Sequence, residues 1–136
     1  MSATRVFSIA AWLLLPTVMF GGYSLLSLIT AGEGLTPFQV TYFRAGHGHA
    51  GVLLIVALVF HSHLDKTAFS DRVKWGVCIA LFASILAISG GFFLHMIAGV
   101  EGAGSVGTAV TGLGALLLTV DVLVLVYGLV RFPSAK

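Results

Sequence analysis

The chain has 136 residues, of which 58% are hydrophobic and only 9% charged, with a formal net charge of +2. At a mean hydropathy of +1.07 it lacks the roughly 25% of charged side chains that keep a soluble domain solvated, which excludes a soluble enzyme and a long disordered tail. Seven basic and five acidic residues are too few for a nucleic-acid-binding face. The single cysteine, Cys78, excludes an internal disulfide and a cysteine-based zinc or iron–sulfur site.

A helix that crosses a bilayer takes about 20 mostly apolar residues, and the chain reads as four such runs. The first covers residues 6–30 and contains Pro16, the second residues 45–64, the third residues 73–98 and the fourth residues 109–130. Between the first two lies a weakly polar loop with Glu33, Pro37 and Gln39. Residues 65–72 form a short charged hairpin, and residues 99–107 a glycine-rich loop carrying Glu101. The whole of 1–136 is therefore expected to be one membrane domain, without a cleaved secretory signal.

Charge sets the expected orientation. Arg5, Lys66, Arg72, Lys74, Arg131 and Lys136 fall on the side of the termini and the middle hairpin, and only Arg44 falls opposite, with Glu33 and Glu101. Basic residues stay cytoplasmic, so both termini are expected inside, in a bacterial inner membrane. Short connections make neighbours antiparallel, giving an all-α, up-down-up-down four-helix bundle. Small residues let membrane helices approach. The third span offers Ala83, Ala87 and Gly91, and the fourth offers Gly107, Gly114, Asp121 and Gly128 on one heptad face, with Thr111 beside it.

Ionisable residues inside a membrane mark function by default, which singles out His47, His49, His61, His63 and His95. In this topology His47, His49 and His95 lie toward the outer surface, and His61 and His63 toward the inner one. At about 100° per residue, His47 and His61 share a stripe with Ala50, Leu54 and Ala57, and are expected to face the bundle. His49 and His63 share the opposite stripe with Leu53, Val56 and Phe60, expected to face lipid or a partner, although Gly46 and Gly48 give His49 freedom to turn inward. His95 follows Ala87 and Gly91 at intervals of four, on the packing seam. Neutral imidazole ligates haem iron and copper. Two histidines from facing helices suit haem b, with Gly48, Gly51, Gly90 and Gly91 making room. Three histidines, His47, His49 and His95, with Met96 nearby suit copper.

The stretch Arg44-Ala45-Gly46-His47-Gly48-His49-Ala50-Gly51 resembles the His-x-His start of the second helix in haem–copper oxidase catalytic subunits. That resemblance implies a haem-ligating histidine near the outer surface, but the other ligands of that large subunit have no counterparts in this chain, so oxidase activity is not implied. More broadly the chain resembles small four-span bacterial membrane proteins with an Arg-Ala-Gly-His-x-His-Ala-Gly segment.

Asp121 falls near mid-membrane on the glycine stripe. No Lys or Arg shares its depth, so burial favours the uncharged acid, with Thr17 and Ser84 as expected hydrogen-bond partners. It is either a neutral packing group or, with His61, a proton site. Glu101 is near enough in sequence to orient His95. No nucleotide-binding glycine pattern and no nucleophile–base set is present, so a stand-alone enzyme is not expected. The leading expectation is a small integral-membrane subunit binding haem or copper, in electron transfer or in support of a larger oxidoreductase. The alternatives are a cofactor-free accessory subunit contacting other membrane subunits or a second copy, and a proton-coupled carrier or channel using Asp121.

Overall fold

The computed structural model describes residues 1–32 and 34–131; Glu33 and Lys136, used above to weigh orientation, lie outside the described residues. Four helices follow one another: α1 (Ala3–Ala31), α2 (Pro37–Leu64), α3 (Asp71–Ala98) and α4 (Val106–Arg131). Each is long and apolar enough to cross a membrane.

Local chemistry explains where they begin and end. The Ser2 hydroxyl accepts from the Arg5 amide at 3.4 Å and starts α1, which runs through Pro16 and stops at Gly32, whose φ of 69° is left-handed. Helix α2 starts eight residues before the apolar run that begins at Ala45. Thr36 accepts from the Gln39 amide at 3.2 Å, the Gln39 side chain accepts from the Thr36 amide at 3.0 Å, and Pro37 occupies the first turn. This reciprocal cap starts a helix whatever its hydropathy, so residues 37–44 are two helical turns and not the loop that composition suggests.

The contacts run in opposite directions along successive helices. Thr4 reaches Asp65, Ser8 reaches His61, Val18 lies against Gly51 and Gly22 against His47, so α2 is descended as α1 is climbed. Gly46 of α2 sits so near α3 that a Cβ there would lie 3.1 Å from the Ser89 carbonyl oxygen and 3.0 Å from the Phe93 ring. The α3–α4 pair is the closest. A Cβ on Gly91 would lie 2.6 Å from the Gly107 carbonyl and collide with Thr111, one on Gly107 would strike the Gly91 carbonyl, and one on Gly114 would lie 2.8 Å from the Ile88 amide nitrogen. Thr111 also donates to the Ile88 carbonyl at 3.4 Å.

Helix α3 is the hub. It packs on α4, α2 and, less extensively, α1, whereas α1 and α4 do not touch among the described residues. The best-buried core lies toward the α2–α3 connection, where Ala57, Phe60, Leu64, Val77, Cys78, Leu81 and Ile85 meet Ala3. Phe60 therefore belongs to the core and Leu53 packs against it, which corrects the lipid-facing stripe read from sequence. Side-chain size does not separate core from lipid here, because α2 is flanked by α1, α3 and α4 and buries bulky residues on more than one face. The charged hairpin is also tied in: Thr67 is buried and donates to the Leu64 carbonyl at 2.8 Å, and the Phe69 ring fills the space over Gly128.

The seam can be tested directly. Gly91→Leu and Gly107→Leu should each cost about 1–3 kcal/mol or more through overpacking, seen as a lower unfolding temperature in detergent. Gly112→Ala, where a Cβ meets nothing within 4 Å, should be neutral or stabilise by up to about 1 kcal/mol.

Candidate functional site

His47 sits in a notch on α1. A Cβ on Gly22 would lie 2.8 Å from its Nε2, and one on Gly21 would lie 3.7 Å from its Nδ1, so the nitrogen edge of the ring faces two residues without side chains. The ring is half-buried and borders a groove of about 500 Å³ whose walls include Trp12, Pro16, Met19, Gly51 and Ile55. Among the described residues no hydrogen bond engages either nitrogen. That separates it from the other four histidines, whose Nδ1 atoms are all committed.

His49 is exposed; its Nδ1 bonds the Ala45 carbonyl at 2.7 Å and its ring stacks on Phe92, with centroids 4.7 Å apart. His63 is partly buried and bonds the Val59 carbonyl at 2.9 Å. His95 is 2% exposed, sealed between α3 and the start of α4, with the Tyr42 ring edge-on at 4.3 Å and Phe38 at 5.4 Å. Its Nδ1 pairs with the Ser105 hydroxyl at 2.7 Å, and the same oxygen accepts from the Gly107 amide at 3.0 Å. Glu101, expected to orient His95, is exposed and instead lines a surface pocket with Thr36, Phe38 and Tyr42. Ser105 takes that role because it stands at the first turn of α4, where a hydroxyl caps the helix and is held rigidly.

His47 thus faces α1, His95 faces α4 and His49 lies over Phe92. Met96 is half-buried. Among the described residues no three His, Cys, Asp or Glu side chains lie close enough together to hold a metal ion.

At the other end of α2, His61 is 1% exposed, bonded through Nδ1 to the Ser8 hydroxyl at 3.1 Å and surrounded by Phe7, Phe60 and Phe82. Its Nε2 has no hydrogen-bond partner among the described residues. Asp121 is 3% exposed and its Oδ2 is likewise unpaired. The two partners expected for it are spent elsewhere: Thr17 donates to the Leu14 carbonyl and Ser84 to the Leu81 carbonyl, each at 2.7 Å. Thr17 is also on α1, whose backbone makes no close approach to α4 among the described residues. Hydroxyls in membrane helices fall back on their own backbone when no stronger partner is near.

Sequence reasoning missed Gly21, Gly22, Ser8 and Ser105. The last carried a readable signal: Ser105 and Thr108 bracket the turn before an apolar run, and the Ser105 amide does donate to Thr108 Oγ1 at 2.9 Å. The α1 glycines carried none, since small residues on a helix of a membrane protein report packing in general. Ser105→Ala should leave the His95 ring without its partner and uncap α4, costing about 1–3 kcal/mol, measured as loss of thermal stability in detergent; Ser105→Thr should retain most of it.

No family model matches the chain, and neither the curated proteins nor the solved structures compared with it gave a significant match.

Proposed function

We propose that the chain is a small integral-membrane subunit that holds haem b beside His47, in electron transfer or in support of a larger membrane oxidoreductase. The observation that carries this reading is the half-buried His47 ring, its nitrogens unengaged among the described residues, at the wall of a groove of about 500 Å³. That volume lies within the range of cofactor and ligand pockets, and such sites are mostly apolar with few polar groups. Copper fits less well, because it needs several ligands at one point, and His47, His49 and His95 have separate neighbours. Haem, when bound, supplies one-electron chemistry. The chain's part would be to turn the His47 imidazole out of the Gly21–Gly22 notch, where its nitrogen edge rests, toward the groove, and to line that groove with Trp12, Pro16 and Ile55. The same proposal orders the spans up-down-up-down with both termini in the cytoplasm of a bacterial inner membrane, as six of the seven basic residues favour.

The test is the absorption spectrum of purified protein reconstituted with haem b. A Soret band at about one haem per chain is expected. His47→Ala should lower haem affinity at least tenfold, Gly22→Ala should shift the spectrum by displacing the ring, and His63→Ala should change neither. Full haem retention by a folded His47→Ala protein ends this reading and leaves the cofactor-free accessory role.

The proton-carrier reading draws on a different observation, the unpaired buried atoms His61 Nε2 and Asp121 Oδ2. Asp121→Asn separates it from packing. The amide keeps an acceptor and adds donors, so assembly, stability and haem binding are expected to persist. Loss of proton-linked transport in a correctly assembled Asp121→Asn protein would favour the carrier instead.

A further inference from the structure

A second cavity lies on the α3 side of the α1–α2 seam, independent of the haem reading. It holds about 260 Å³ between α1, α2 and α3, under the close approach of Gly46 to the Ser89 carbonyl. Its wall is almost wholly apolar, with Phe82, Phe93, Leu54 and Ile85 among the lining residues, and the exposed Leu14 and Leu86 form a rim toward lipid.

Two hydroxyl-bearing residues line it, and they differ. Thr17 has spent its hydroxyl on the Leu14 carbonyl. Ser89 is 7% exposed, and its Oγ has no hydrogen-bond partner among the described residues and is itself shielded from the cavity. Ser24, Ser62, Ser84 and Thr119 all return their hydroxyls to carbonyls of their own helix, which is the usual resort of serine and threonine in an apolar helix. An unpaired buried hydroxyl is costly and calls for an explanation such as an absent ligand. Contact with a molecule in the cavity requires a turn of Ser89 about χ1, which breaks no bond and moves between ordinary staggered positions.

We propose that this cavity binds a small oxygenated aromatic molecule that enters from the lipid and hydrogen-bonds to Ser89. Size and wall chemistry set the class. An apolar cavity of about 150 Å³ takes benzene, so 260 Å³ accommodates a substituted or fused ring pair. Phe82 and Phe93 give the wall aromatic surface, which favours a ring as occupant. The single uncommitted hydroxyl calls for one oxygen on the ligand. A lipid acyl chain matches the apolar wall and leaves Ser89 unpaired, so it is the rival occupant.

The experiment is equilibrium partition of 1-naphthol and of naphthalene between nanodiscs containing the protein and empty nanodiscs of the same lipid. Saturable binding of 1-naphthol at about one per chain is expected, with naphthalene about tenfold weaker, the value of one hydrogen bond. Ser89→Ala should bring 1-naphthol down to the naphthalene level and leave naphthalene unchanged. Gly90 lines the cavity and a Cβ there meets nothing within 4 Å, so Gly90→Leu should abolish both without lowering the unfolding temperature; Ala50→Leu serves if that variant does not fold. Non-saturable partition, equal affinity for the two probes, or full binding by folded Gly90→Leu or Ala50→Leu protein overturns the proposal. Naphthalene binding that matches 1-naphthol and is displaced by added fatty acid assigns the cavity to an acyl chain and overturns it as well.

Discussion

Helices in lipid gain nothing from hiding apolar surface, because the acyl chains are as apolar as leucine; close van der Waals contact must hold them together. In this chain that contact is concentrated where Gly91, Gly107, Gly114 and Thr111 bring α3 and α4 backbone to backbone. Because α4 touches neither α1 nor any second large surface, its position is set by this seam, with a smaller contribution from α2. His95 inherits its burial from the same approach. Its backbone nitrogen lies where a Cβ on Gly107 would go, and its ring is pinned by the Ser105 hydroxyl that opens α4.

Helix α1 is held by other means. It meets α2 through two side-chain bonds, Thr4 to Asp65 at 2.7 Å and Ser8 to His61 at 3.1 Å, and through the glycine notch that receives His47. Between these anchors the interface is looser, and both cavities border it, with Val18 lining each. Tight packing on one side of α3 and open packing on the other is thus the main asymmetry of the molecule. Binding sites need space that a well-packed seam does not leave, so His47, His61 and Ser89 fall on the α1 side.

Much of the architecture was legible because it rests on composition. Four apolar runs, the small-residue stripe of α4 and the buried face of α2 at Leu54, Ala57 and His61 follow from periodicity alone. The start of α2 was not legible from hydropathy, since Thr36, Pro37 and Gln39 act through capping geometry. Nor were the partners of His95 and Asp121. Depth and helical phase limit which residues share a level, but they do not say that Ser84 and Thr17 will bond their own carbonyls, or that Ser105 reaches His95 before Glu101 does. The convergence of His47, His49 and His95 failed for a similar reason. Equal depth places rings in one slab, while rotation about each helix axis decides which neighbour they meet.

The two bonds between α1 and α2 bear on how the chain enters the bilayer during synthesis. A polar group without a partner costs several kcal/mol in hydrocarbon, and the ribosome delivers α1 and α2 while α3 and α4 are still unmade. Ser8 supplies a partner to His61 Nδ1 from within that first pair, while Thr4 bonds the exposed Asp65 at its end, so part of the buried polar pairing is in place before α3 exists. In the second pair, Asp121 has no hydrogen-bond partner at its Oδ2 among the described residues and lies buried against the rest of the protein. The first pair thus carries part of its own polar pairing, His61 Nε2 excepted, before the second is made.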